Sequence, residues 1–319
     1  MLLLTVFSWL GFAFWLPELL THFRIQFLIA AVVLLVLAGI LRHPASTFGA
    51  LLVAAASAWP LLPYLLPGAI DAQADEASTR VLFANVRFNN QNYDALRRLV
   101  ELENPDVVGL AEVDDGWLEA LSTLQSEYPH RVLHPDIDAN GLALFSRFPV
   151  RELQISPYVQ GGMQAALIVD LEMPRAKVSF YLAHPKSPTT PGSAAMRNVQ
   201  LQELSRMIRA DRNREQILIG DLNTTPWSPH YASLETEANL SNAAIGRGYW
   251  PTWPAWTPGA SLLKIPIDHC LLSEGLRVQN FRTGGKIGSD HLPLIVDIAI
   301  PSQRLSRIKP AATERQNGS

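Results

Sequence analysis

The chain has 319 residues, 48% of them hydrophobic, a mean hydropathy of +0.10 and a formal net charge of −3. Its single cysteine, Cys270, excludes an internal disulfide and a thiolate zinc cluster. Only Glu18, Arg24 and Arg42 are formally charged in the first seventy residues, so the remainder is acidic overall, which argues against broad neutralisation of duplex DNA phosphates.

Three apolar runs open the chain, over residues 2–20, 25–41 and 47–66. A spanning helix needs roughly 20 largely apolar residues, with about 17 as the lower limit. The runs predict a membrane domain over residues 1–70 with about three transmembrane helices and the lipid bilayer as its partner. Pro60, Pro63 and Pro67 end the third, with Trp59 and Tyr64 placed for an interfacial aromatic belt. A cleaved signal peptide is the competing reading of the first run. No basic segment precedes it, and two more apolar runs follow at once. Lys and Arg are almost balanced between the short loops; the acidic exit at Asp71, Asp75 and Glu76 places the large domain on the extracytoplasmic side.

Residues 71–79 read as a polar linker. From residue 80 to 301 short β-type runs alternate with helical ones: VLFANV, VVGLAEV, LALFSRF, ALIVDLEM, VSFYLAHP, QILIGDLN, HCLLS and PLIVDIAI. YDALRRLVELENP and AMRNVQLQELSRMIRADR carry helical spacing. Many strands and few helices imply two packed sheets flanked by helices. Residues 302–319 are polar and read as a disordered tail.

Polar side chains gather where those strands end or begin: Asn85, Glu112, His184, Asp221, Asn223, Asp268, His269, Asp290 and His291. Singly, each is as well explained by turn chemistry or a solvated strand end. Together they form a set of carboxylates, amides and histidines. Hard divalent cations take such oxygen ligands, and Glu112 with Asn85 and Asp290 offers them. Hydrolysis of a phosphoester also needs a water, a group to take its proton and donors for the developing charge. His291 fits the base or the electrostatic partner; Asn223, His184 and Asn85 are donors to phosphate oxygens. No GxSxG or Cys–His arrangement supports acyl transfer.

The ordered set ANVR, GLAEV, LFSRFP, LAHP, IGDLN, PIDHCL and GSDHLP resembles the endonuclease/exonuclease/phosphatase family, which includes deoxyribonuclease I, abasic-site endonucleases, sphingomyelinases and inositol-phosphate phosphatases. The resemblance covers about residues 80–300, and the GDLN…SDH pair is its most specific part. It implies an α+β fold, a four-layer αββα sandwich like that of deoxyribonuclease I, and Mg²⁺, with Mn²⁺ or Ca²⁺ as substitutes. Glu112 would be the principal metal ligand, with Asn85 and Asp290 beside it. Asp221 would position or deprotonate water, and Asn223 would hold a phosphate oxygen. His291 would be the catalytic histidine, oriented by Asp268, and His184 the second histidine on the scissile phosphate. Arg87 stands where abasic endonucleases carry an acid and is like the deoxyribonuclease branch; it joins Asn85, Asn223 and His184 as a phosphate contact. Ala111 replaces the Gln common before the metal Glu. The apolar zone joined to such a domain also resembles uncharacterised bacterial membrane proteins of the family, which implies a multi-pass protein of the bacterial inner membrane.

The expected function is metal-dependent hydrolysis of a phosphodiester or phosphomonoester. The substrate is a nucleic acid, a lipid headgroup or a small molecule, and no protein partner is expected. A catalytically silent membrane module is the alternative from another class, and the full set of site residues argues against it. Trp227, Trp250, Trp253 and Trp256 read as a Pro-stiffened loop packed by its own rings rather than a stacking platform. Arg197 and Lys186 read as solvated, His130, His134 and His230 as surface residues, and Cys270 as a small buried hydrophobe.

Overall fold

A computed structural model describes residues 10–68, 78–158, 164–213, 215–255 and 261–300, with Thr5, Phe7 and Ser8 before them. The expected tail, Trp256 and all of the linker but its last two residues lie outside the described residues.

Two six-stranded sheets carry the fold. The first runs in the order β11 (Arg277–Thr283), β12 (Leu294–Ala299), β1 (Ser78–Asn85), β2 (Val107–Ala111), β4 (Leu142–Ser146), β3 (His130–His134). The second runs β5 (Val150–Pro157), β6 (Ala165–Met173), β7 (Ala176–Ala183), β8 (Glu215–Asp221), β10 (Asp268–Leu272), β9 (Ser241–Asn242). Each sheet has one parallel pair, β1 with β2 and β7 with β8; the remaining pairs are antiparallel.

Alternation along the strands builds the layers. In β1, Val81 and Phe83 enter a core shared with Phe180, Ile217 and Ile219 of the other sheet, while Leu82 and Ala84 face outward. Successive side chains on a strand point to opposite faces, so both sheet faces need cover. The outer face of the first sheet packs on Leu96, Leu99 and Val100 of a helix over Tyr93–Glu103 and on Trp117 and Tyr128. The outer face of the second packs on Leu201, Leu204 and Ile208 of the helix Pro191–Ala210 and on Tyr231 and Leu234 of Pro229–Ala238. Thr190 and Ser193 form a reciprocal cap that starts the longer helix. The result is helix, sheet, sheet, helix. All eight expected inner strands are present; β3, β5, β9 and β11 were not anticipated. β3 and β11 are half-exposed and polar in part, β5 is exposed along nearly its whole length, and β9 has only two residues, so none carries a clear apolar run.

The N-terminal zone departs from three separate spans. A short helix, α1 (Trp15–Thr21), is followed after a 68° bend by α2 (Arg24–Ile40), which packs against α3 (Pro44–Ala58). The continuous helical stretch Pro44–Leu65, of 22 residues, is long and apolar enough to cross a membrane, and the bent pair α1 and α2 counts as a second span only if taken as one unit. The first run yields no span of its own among the described residues: the chain turns over residues 10–13, and α1 lies on the sandwich with Glu18 and Thr21 buried. The reason is Glu18, whose charge is costly in hydrocarbon and finds a buried partner on the folded domain instead. Tyr64, expected at an interfacial belt, is buried edge-on against Trp227.

Candidate active site

Strand direction gathers the polar residues. Because β1 and β2 are parallel, Asn85 and Glu112 emerge side by side; because β7 and β8 are parallel, so do His184 and Asp221. β10 runs antiparallel to β8 with Asp268 paired directly to Asp221. The turn into β12, antiparallel to β1, delivers Asp290 and His291 to the same end. Close contact between β7 and β8 depends on Gly220, where a Cβ would lie 1.9 Å from the Ala183 carbonyl oxygen.

Asn85 is the bridge between the sheets. Its Nδ2 donates to Glu112 Oε1 at 2.8 Å and to Asp221 Oδ2 at 3.0 Å, while its Oδ1 accepts from the Arg87 backbone N–H at 3.0 Å. Two carboxylates and one N–H fix the amide's orientation. Asn85 therefore acts as a donor to both carboxylates. Glu112 Oε2 accepts from the Phe88 N–H at 3.2 Å. His184 Nε2 lies 3.5 Å from Asp221 Oδ2 and 3.8 Å from Glu112 Oε1. Its Nδ1 is buried and has no hydrogen-bond partner among the described residues, so no carboxylate orients this ring from behind.

His291 Nδ1 donates to Asp268 Oδ2 at 2.8 Å, and its Nε2 stands 3.6 Å from Asp221 Oδ2. Burial works against the imidazolium, but the charges of Asp268 and Asp221 and the Asp268 hydrogen bond outweigh it and hold His291 up to about 10. Burial likewise opposes ionisation of Asp221, yet His291, His184 and the Asn223 N–H pull it down to about 2. His184 is raised in turn: burial lowers it, and Asp221 and Glu112 more than compensate.

Asn223 sits in the left-handed region at φ +50° and receives Arg197 Nη1 on its carbonyl at 2.6 Å, while its Nδ2 donates to Pro185 O. Arg87 and Glu112 also have positive φ, both +62°, a sparsely populated conformation for such side chains that gathers here at the site. Asp290 accepts from Trp253 Nε1 at 3.1 Å and lies 3.8 Å from Arg87 Nε. Arg87 thus lies against Asp290 and is not among the residues lining the cleft.

A cleft of about 600 Å³ is lined by Glu112, His184, Asp221, Asn223, Asp290 and His291. For a divalent cation the fit is good. Glu112 and Asp290 both line this cleft with carboxylate oxygens, the donors hard cations prefer; Glu112 takes the N–H groups of Asn85 and Phe88, and Asp290 takes the Trp253 indole N–H with the Arg87 guanidinium nearby. A tighter cluster, Asp221, Asp268 and His291, has ligating atoms within 4.8 Å of one another. It was not singled out as a metal set from sequence. Its His291–Asp268 hydrogen bond occupies Nδ1 and leaves Nε2, 3.6 Å from Asp221 Oδ2, as the remaining ring nitrogen.

Sequence reasoning missed two contributors. Arg197, expected to be solvated, is completely buried and touches the site through Asn223; Trp253 reaches the cleft through Asp290. Trp227 and Trp250 pack into the loop as expected, with Trp227 stacked on Tyr249. No local signal marks Arg197, because its partner is remote in the chain.

A two-sheet sandwich with carboxylates, amides and a carboxylate-backed histidine at one end defines a phosphoesterase of the metal-dependent class. The chain belongs to the endonuclease/exonuclease/phosphatase family, whose model matches residues 82–291, and is a hydrolase of the phosphodiesterase and nuclease type. No curated protein matches it. Solved structures share the fold: TDP2 of D. rerio complexed with single-strand DNA product (16% identity, TM-score 0.59, 70% of this chain and 99% of that one) and a humanized D. rerio TDP2 (17%, 0.58, 69% and 98%). An endonuclease/exonuclease/phosphatase from Beutenbergia cavernae is similar too (21%, 0.56, 70% and 72%).

Proposed function

We propose that the chain is a Mg²⁺-dependent phosphodiesterase held at a membrane by its apolar helices, with the sandwich on the extracytoplasmic side. The observation that carries the chemistry is the meeting of Asn85, Glu112, His184 and Asp221, from four strand ends on two sheets, with the Asp268–His291 pair.

Glu112 and Asp290 would hold the cation, which supplies charge stabilisation to the phosphoryl oxygens when bound. Asp221 is a buried carboxylate kept ionised by its neighbours, and it accepts the proton of the attacking water. Asn85 keeps that carboxylate aimed. His291 carries its proton on the side facing Asp221 and donates to a phosphoryl oxygen; Asp268 fixes the ring and balances its charge. Asn223 and His184 line the same cleft as further donors. The water oxygen forms the new bond to phosphorus, the ester oxygen leaves, and solvent protonates it.

The single-strand DNA product of the D. rerio relative makes a nucleic-acid phosphodiester one substrate to test. The test is release of product from oligonucleotides, phospholipids and chromogenic diesters by the full chain, with Mg²⁺ and with chelator. Turnover that needs the metal and falls at least about a thousandfold in Asp221→Ala supports the reading. Equal inactivity of wild type and variant on every substrate overturns it. A reporter fused after Ser319 tests sidedness, and a cytoplasmic signal would refute that part.

A further inference from the structure

The cleft has a second wall that comes from outside the sandwich. Trp15, Leu19, His22 and Phe23, from α1 and the bend after it, line the same space as the catalytic residues. The helix is fixed there by polar contacts. Trp15 Nε1 donates to Pro188 O at 3.0 Å, on the loop that follows His184. Ser228 Oγ donates to Glu18 at 2.8 Å, His22 Nδ1 meets Thr225 Oγ1 at 2.9 Å, and Trp227 Nε1 donates to the His22 carbonyl at 3.2 Å. Apart from His22, which meets Thr225, the segment lines the cleft with apolar side chains at spacing i, i+4, i+8: Trp15, Leu19 and Phe23, each only half-buried. Ile265, Ile267 and Trp253 add to the apolar lining, and Lys186 is the single Lys or Arg among the lining residues described. Past Phe23 the apolar surface continues along α2, where Val32, Val33, Val36 and Leu37 are exposed.

We infer that Trp15, Leu19 and Phe23 bind a hydrocarbon portion of the substrate, so that the enzyme acts on amphiphilic, lipid-like phosphodiesters whose scissile phosphate lies beside an alkyl or acyl chain. The inference rests on the phosphodiesterase reading above. A wholly polar substrate leaves three large apolar side chains wetted at the mouth of the site, whereas a chain laid along them is removed from water with them. A nucleic acid would meet one lysine here, where a polyanion needs a row of cations. The wall also stands next to the helices proposed to lie in the membrane, which is where such a substrate is found.

The test uses the full chain in lipid nanodiscs and two soluble diesters below their aggregation limit, p-nitrophenyl methyl phosphate and p-nitrophenyl hexyl phosphate. In the wild type kcat/KM rises roughly three- to fourfold for each methylene that the cleft buries. In Leu19→Ser/Phe23→Ser the hexyl-to-methyl ratio falls by about tenfold or more. Leu19→Trp, which fills the apolar end instead of opening it, shifts the preference toward the methyl ester. Leu16→Ser, on an exposed side chain outside the cleft, keeps the wild-type ratio. A wild-type ratio near one, a ratio unchanged in both Leu19 variants, or a single-stranded oligonucleotide with higher kcat/KM than the hexyl ester overturns the inference while the phosphodiesterase stands. No cleavage of any diester overturns the phosphodiesterase reading and the inference with it.

Discussion

Arg197 Nη2 and Glu18 Oε2 lie 2.9 Å apart with both side chains almost wholly out of water, one from the second-sheet helix layer and the other from α1. The same guanidinium holds the Asn223 carbonyl. The apolar N-terminus and the site are therefore parts of one packed unit.

Removing one partner of such a pair strands the other. Glu18→Ala leaves Arg197 buried without its counter-charge, and the expected loss is about 3–5 kcal/mol of stability. Glu18→Gln, which keeps the hydrogen bond from Ser228, loses less. Denaturant unfolding of the detergent-solubilised chain measures both, and equal stability of Glu18→Ala and wild type would refute the coupling.

Asp268 acts through His291. Asp268→Asn keeps the volume but removes the charge that fixes and balances the ring, so kcat falls by about 10²–10⁴ with KM little changed. Melting temperature serves as the control; a kcat within twofold of wild type would contradict the role.

Chelation with EDTA abolishes turnover, and Mg²⁺ or Mn²⁺ restores it. In Glu112→Gln the metal concentration for half-maximal rate rises by at least about tenfold. A metal titration curve that overlays the wild type would assign the cation to other residues.

Glu235 supplies a pH dependence away from the site. Burial pushes its carboxyl from 4.5 up to about 7, against the pull of the Asn242 N–H. The folded chain therefore favours the protonated form. That contribution is complete below pH 4.5 and is lost as pH rises through 7, by about 3 kcal/mol. Glu235→Gln removes this slope and melts above wild type at pH 8. Parallel melting curves for the two proteins between pH 5 and 8 would count against it.

Much of the sandwich was legible because inner strands are short apolar runs bounded by polar residues, a pattern read without knowing any neighbour. VLFAN and QILIGD are buried along nearly their whole length, and both became central strands. The site residues stood out for the same reason: Asn85, Glu112, His184 and Asp221 each end such a run. The edge strand β5 stayed hidden, because it is exposed along nearly its whole length and mixes Arg151, Glu152 and Gln154 with Leu153 and Ile155.

Taken alone, the sequence determined the layered fold, the family and the residues gathered at one end, since periodicity and strand-end chemistry are local properties of the chain. Only the tertiary structure decided that Asn85 bridges two carboxylates, that Arg87 turns to Asp290, and that the first apolar run supplies a cleft wall instead of a separate span. Those outcomes depend on charges finding partners across long stretches of chain, as Glu18 does with Arg197, and burial makes such pairing decisive without leaving a trace in either neighbourhood.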